Sequence, residues 1–167
     1  MKHSGLDIVR ADWSLPKHRD AVVELMDLFA RDVQGRGVGL RDTVKRDLPD
    51  ELLKRSACMV AVALVRGQPA GLSINFEVFS KFACLPILNI HDFVVAPQYR
   101  GQGIAEHLLQ AVEALGKEWA VKSGLWKCSK EMSVLKRSIS SLGLAATNSI
   151  QRWGGRCFTI KKFRHNL

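Results

Sequence analysis

The residues whose types and spacing could do chemistry stand together in Phe93-Val94-Val95-Ala96-Pro97-Gln98-Tyr99-Arg100-Gly101-Gln102-Gly103-Ile104-Ala105. An apolar strand runs into Pro97, a short basic loop follows, and a helix opens near Gly103. Glycine at 101 and 103 removes side chains where a backbone must approach a ligand and bare its N–H groups. At a helix N-terminus those groups and the dipole favour an anion. Arg100 adds a guanidinium fork that suits phosphate. The loop therefore suits a pyrophosphate, and the strand before it can hold something elongated. On that strand His91 and Asp92 are the ionisable groups. Side chains alternate along a strand, so these two are expected on opposite faces, with one of them toward a reacting centre. A dinucleotide loop of the G-x-G-x-x-G kind is the other phosphate reading. It fails because Glu106 occupies the third glycine position.

The elements that must position this stretch follow from periodicity. Asp7 to Ala11 reads as a short strand, and Ser14 and Pro16 mark a helix start. Val22, Leu25, Met26, Phe29 and Val33 recur at helical spacing until Gly35, Gly37 and Gly39 stop the helix. A second helical piece is expected over Arg41 to Arg55, broken or restarted near Pro49. Ala57 to Val65 is almost continuously apolar, as a central strand should be. After a turn at Arg66-Gly67-Gln68-Pro69, Leu72, Ile74, Phe76 and Val78 alternate with Ser73, Asn75 and Glu77, so one buried face is expected. A connection through Phe82 and Pro86 leads into the strand Ile87 to Val95. The helix from Gly103 to Gly116 should bury Ile104, Leu108, Leu109, Val112 and Leu115. Three successive strands without helices between them predict an antiparallel meander.

The motif and its setting resemble the acetyl-CoA loop of the GNAT N-acetyltransferase superfamily. Its pattern, Gln/Arg-x-x-Gly-x-Gly/Ala, is met by Gln98, Gly101 and Gly103, within the run Tyr-Arg-Gly-Gln-Gly-Ile-Ala. The resemblance spans residues 7–118 and implies an α/β fold with a mixed, mainly antiparallel sheet flanked by helices. It implies acetyl-CoA as co-substrate, bound by Phe93, Val94, Val95, Arg100, Gly101, Gln102, Gly103, Ile104 and Ala105. In that picture the backbone of Phe93 to Val95 pairs with the pantetheine arm like an added strand, and the Val94 N–H polarises the thioester carbonyl. The implied activity is N-acetylation of a small-molecule amine by direct attack.

Such a reaction needs a proton acceptor for the amine and a donor for the developing oxyanion. Polyamine-type members often carry glutamate where His91 stands and an acidic residue where Asp92 stands. This makes His91 the candidate base, Asp92 a second catalytic candidate, and a polyamine-like acceptor the closest match. Glu77 is a weaker acidic candidate, for which a solvated strand face is the simpler role. Tyr99, the single tyrosine, sits in the phosphate loop and not where the family places its leaving-group acid. The family's asparagine and tyrosine after the fifth strand are missing. That loss admits a second reading, a CoA-binding or interaction protein with impaired catalysis.

A chain of 167 residues suits a single domain over 1–167. Its net charge of +9 is unevenly spread: residues 1–118 hold 15 basic and 15 acidic residues, while 119–167 hold ten basic residues against Glu131 alone. Three of the four tryptophans fall in the same tail. The charge therefore marks a composition break more than a nucleic-acid surface, and no nucleic-acid partner is expected. Read with each codon starting at the third base of the stated one, the chain from the Leu125/Trp126 junction permits a series resembling the family's fifth strand, asparagine loop and tyrosine-bearing helix. A frameshift between Gly116 and Leu125, natural or a sequencing error, is the expectation, and a divergent but genuine C-terminal segment over 119–167 is the alternative. The stated tail still carries Met132, Leu135, Ile139 and Leu142 at helical spacing and a strand-like Cys157 to Ile160. Cys58, Cys84, Cys128 and Cys157 form no C-x-x-C pair, so neither a zinc site nor a disulfide framework is expected. No run is apolar enough to span a bilayer and no signal-peptide pattern opens the chain, so no membrane partner and a cytoplasmic location are expected. The reading admits a homodimer.

Overall fold

The computed structural model describes residues 5–32, 35–81 and 84–123. Val33, Phe82, the Met132–Leu142 stripe, the Cys157–Ile160 strand and the shifted-frame reading lie outside the described residues. Eight elements follow in order: β1 (Leu6–Arg10), α1 (Pro16–Arg31), α2 (Asp42–Leu53), β2 (Cys58–Val65), β3 (Gln68–Ser80), β4 (Leu85–Val95), a 3-10 turn (Pro97–Tyr99) and α3 (Ile104–Ser123). The strands form an antiparallel sheet in the order β1-β2-β3-β4. This is the expected meander, with β1 added at the far edge.

β2 lies at the centre because both of its faces are apolar. Val60, Val62 and Leu64 pack under α1 with Val22, Leu25 and Phe29. Met59, Ala61 and Ala63 pack under α3 with Ile104, Leu108, Leu109 and Val112. Small residues let α3 come close: a Cβ added at Gly71 would stand 3.2 Å from the Val94 carbonyl oxygen and 3.3 Å from Leu108 Cδ2. The β2–β3 hairpin turns on Arg66 at φ 50° and Gly67 at φ 79°. Two positive φ values in a two-residue loop match the twist of the strands, which is why glycine is useful there.

Four expectations need correction. α2 is continuous over Asp42–Leu53 and carries a buried Pro49 inside it, so it neither breaks nor restarts there. α3 passes through a buried Gly116 and continues to Ser123, because glycine weakens a helix without ending it once its flanks are packed. α1 begins at Pro16, with Leu15 as an N-cap lacking a side-chain bond; the Ser14 hydroxyl instead donates to Asp12 at 2.7 Å. Two polar residues in the middle of β3 do not face water. Ser73 and Asn75 are fully buried beneath α3, where Ser73 Oγ donates to Asn75 Oδ1 at 2.9 Å and Asn75 Nδ2 donates to the Met59 carbonyl at 3.0 Å. A self-satisfying pair removes the penalty for burying two polar groups.

Asp27 fastens the helical layer. It accepts from Arg31 Nε at 2.9 Å, from the Leu40 N–H at 2.7 Å and from Lys45 Nζ at 3.2 Å, joining α1, the α1–α2 connection and α2. Burial works to raise its carboxyl, but these partners outweigh that and hold it below the usual value. Among the described residues no helix is long and apolar enough to cross a membrane. The seating of α3, which presents its N-terminus to the glycine loop, depends on Leu108, a fully buried side chain between helix and sheet. Leu108→Ala is expected to cost about 2–5 kcal/mol of stability, read as a lower urea midpoint with an unchanged slope.

Candidate active site

The glycine loop is built from both ends. Upstream, the Ala96 N–H donates to the Ala70 carbonyl at 2.9 Å and so carries the β3–β4 pairing past the end of the strand. Tyr99 packs against the core on both sides of the sheet, which makes it an anchor for the turn. Downstream, Ile104 is 1% exposed and pins the first turn of α3. Between these anchors Gly101 has φ +73° and Gly103 has φ +80°. Both lie in the left-handed region where any other residue is disfavoured, so the motif's glycines answer to backbone conformation. A Cβ added at Gly101 would meet nothing within 4 Å, so the chain itself does not crowd that side. The Gly103 carbonyl accepts from the N–H groups of Glu106 and His107, which makes Gly103 the cap of α3. The N–H groups of Ile104 and Ala105 in that first turn have no preceding intrahelical carbonyl to meet. The Arg100 N–H is taken by the Pro97 carbonyl at 3.2 Å. The Arg100 fork is likewise engaged, by the Val95 carbonyl and Asp32.

β4 is an edge strand among the described residues, and an edge presents N–H and C=O groups ready to pair with an extended partner. Which groups face outward is fixed by two observations. Ala96 donates toward β3, and the Val94 carbonyl oxygen lies 3.2 Å from the place a Gly71 Cβ would take. Val94 pairs with Leu72, so its N–H and C=O both turn toward β3. The outward groups belong to Phe93 and Val95, and of these the Val95 carbonyl is already taken by Arg100 Nε. The Val94 N–H is therefore not placed for the role expected of it. The Phe93, Val94 and Val95 side chains are all buried, which leaves recognition to the backbone.

His91 and Asp92 do not take opposite faces. In the register Ile90 opposes Asn75 and Asp92 opposes Ile74, so His91 is an extra residue in β4. Such a bulge interrupts alternation and re-aims side chains. Ile90 and Phe93 both pack on the α3 side, three positions apart. Asp92, opposite Ile74, lies on the α1 side. His91 joins it there, its ring set edge-on to Phe76 at 5.4 Å between centroids and 84° between planes. His91 is exposed and Asp92 is partly covered. Burial pushes the Asp92 carboxyl above its ordinary value, and the neighbouring His91 pulls it down by less.

The sequence model of the Acetyltransferase (GNAT) family matches residues 22–134, more than half of the chain and past Glu118, where the resemblance first read from the residues ends. The chain belongs to the GNAT acetyltransferase family. Its activity is acyl-CoA-dependent N-acetylation, with acetyl-CoA as co-substrate. Solved structures agree on the fold. The aminoglycoside N-acetyltransferase AAC(6')-Iy with the bisubstrate analogue CoA-S-monomethyl-acetylneamine is 18% identical, over 92% of this chain and 100% of that one, at a TM-score of 0.57. The aminoglycoside acetyltransferase meta-AAC0020 from an uncultured soil metagenomic sample, in complex with trehalose, is 18% identical over 92% and 97%, at 0.58. A possible acetyltransferase from Clostridium difficile 630 is 16% identical over 93% and 100%, at 0.58. No curated relative matches the chain.

Other groups fall outside this GNAT site. A groove of about 490 Å³ between α1 and α2 is lined by Arg19, Glu24, Lys45 and Arg46 among others, and by none of the residues proposed for catalysis or cofactor. Cys58 is buried and its thiol is pushed up to about 11, mainly by that burial, so it is no nucleophile. His18 is buried on α1 and accepts the Asp12 N–H at 3.0 Å, a structural role. Sequence reasoning missed the bulge, Phe76 as a partner of His91, and Asp32 as a partner of Arg100. Of these, only the aromatic on a neighbouring strand left a local signal. Asp92 offers a test of the geometry. Its folded value lies above the ordinary 3.8, so the folded state binds this proton more tightly than the unfolded state. The stability it contributes is full below 3.8 and is lost as pH rises through the raised value. Asp92→Asn is expected to raise the urea midpoint at pH 7 and to leave it unchanged well below pH 3.8. A gain of equal size at both pH values would contradict the assignment.

Proposed function

We propose that the protein acetylates a small, polyamine-like amine, with acetyl-CoA lying along the outer edge of β4 and its pyrophosphate on the loop Arg100–Ala105. One observation carries this reading: the outward backbone groups of Phe93 and Val95 lead directly into a loop whose two glycines hold positive φ at the mouth of α3. An extended ligand with an anionic end fits that sequence of groups. Bound acetyl-CoA supplies an activated acyl thioester.

The residues of this chain supply the rest. Gly101, Gln102, Gly103, Ile104 and Ala105 offer backbone N–H groups to the pyrophosphate. The Phe93 N–H, on the free edge, donates to the oxygen that gains charge as the amine attacks. His91 takes the proton that the amine nitrogen must lose, directly or through one water; as the new carbon–nitrogen bond forms, the thioester carbon–sulfur bond breaks and the CoA thiolate leaves, to be protonated by solvent. Asp92, on the same face, stabilises the imidazolium that results and attracts a cationic acceptor. Its raised carboxyl keeps that attraction sensitive to pH. The small-amine acceptor is supported by the neighbouring folds, which include enzymes solved with sisomicin and with an acetylneamine analogue. The missing asparagine and tyrosine are what speak for a CoA-binding protein with impaired catalysis, and the intact loop fits either reading.

His91→Ala is expected to lower kcat by roughly 10²–10⁴-fold for the preferred member of a panel of polyamines and aminoglycosides. CoA affinity, measured by calorimetry, should stay the same. An unaltered kcat would reduce His91 to a strand residue packed on Phe76.

A further inference from the structure

We propose that Asp32 is a positioning residue for the pyrophosphate loop, acting through Arg100. The inference rests on the reading that this loop receives the pyrophosphate of CoA. Glycine at 101 and 103 gives the loop its shape but also its freedom. Freedom must be removed if several N–H groups are to converge on one anion without loss of affinity. Downstream the buried Ile104 does this. Upstream the residue next to Gly101 is Arg100, and its side chain is held in two places. Nε donates to the Val95 carbonyl at 3.1 Å, and Nη2 donates to Asp32 Oδ2 at 2.8 Å.

The guanidinium thus joins the end of β4, the start of the loop and the end of α1. The two side chains are 29% and 20% exposed, so solvent screens their attraction less than it would a surface pair. Asp32 is also the C-cap of α1, and its carbonyl accepts the Gly35 N–H at 2.9 Å. One residue therefore fastens both the cofactor loop and the beginning of the α1–α2 connection. The arrangement also alters what Arg100 does. With its charge matched by Asp32, Arg100 serves the anion site by fixing the loop's geometry.

Charge and geometry predict opposite signs, which makes the inference testable. Asp32→Asn removes a negative charge beside an anion site, so electrostatics alone would tighten CoA binding. Lost positioning would weaken it. Calorimetric titration with CoA should be run on the wild type, Asp32→Asn, Arg100→Gln and the double variant. Each single change is expected to weaken binding by about tenfold, and the double variant to be no weaker than Arg100→Gln, because the two act as one unit. Amide exchange at Gly101–Ala105 without CoA should quicken in Asp32→Asn while β2 and β3 keep their protection. Equal or tighter binding by Asp32→Asn, additive losses in the double variant, or unchanged loop exchange would each overturn the role of Asp32. A wild type that did not bind CoA would instead remove the site itself, and this inference with it.

Discussion

Where β4 passes Asn75 it carries one residue more than β3 can pair, and that residue is His91. The consequences run through the whole site. Before the bulge Ile90 packs under α3, and after it Phe93 does the same. His91 and Asp92 are thereby pushed together onto the α1 side, where a regular strand would have parted them. Beyond the bulge the alternation is regular again, so Phe93 and the Val95 N–H face the edge that is open among the described residues, while the Val95 carbonyl turns outward to meet Arg100 Nε. The proposed proton acceptor and the proposed oxyanion donor thus come from adjacent stretches of one strand, on different sides of its backbone.

The rest of the fold holds that strand and its loop still. β2 and β3 are packed on both faces, and the Ser73–Asn75 pair secures β3 to β2 through the Met59 carbonyl close to the bulge. The close seat at Gly71 lets α3 lie against the sheet and point its first turn at the glycine loop. On the opposite face, Asp27 ties α1 to α2, and Asp32 ties the end of α1 to Arg100. Of two aspartates five residues apart, one therefore fastens the helical layer and the other connects it to the glycine loop.

Much of this was legible in the sequence because it is local. Helical spacing in α1 and α3, the apolar run of β2 and the glycine loop each depend on neighbouring residues. The shape of the loop at Gly101 and Gly103 was readable for the same reason, and both glycines hold the positive φ that their type allows. What could not be read depends on pairing across distance. The bulge at His91 is set by the register against β3, so strict alternation misplaced His91 relative to Asp92. The same alternation, without a register, could not tell Val94 from Phe93 as the outward donor. Ser73 and Asn75 looked like a wetted face because nothing in β3 announces that α3 covers it. The Asp32–Arg100 pair spans 68 positions and leaves no local mark.

In the proposed site CoA adds itself to the outer edge of β4. Residue-resolved amide exchange with and without saturating CoA tests this directly. Val94 should exchange slowly in both states, since its N–H already belongs to β3. Phe93, Val95 and the first-turn amides of α3 should exchange faster alone and slow markedly when CoA is added. Protection that left Phe93 and Val95 unchanged, or that appeared instead in the groove between α1 and α2, would contradict the account.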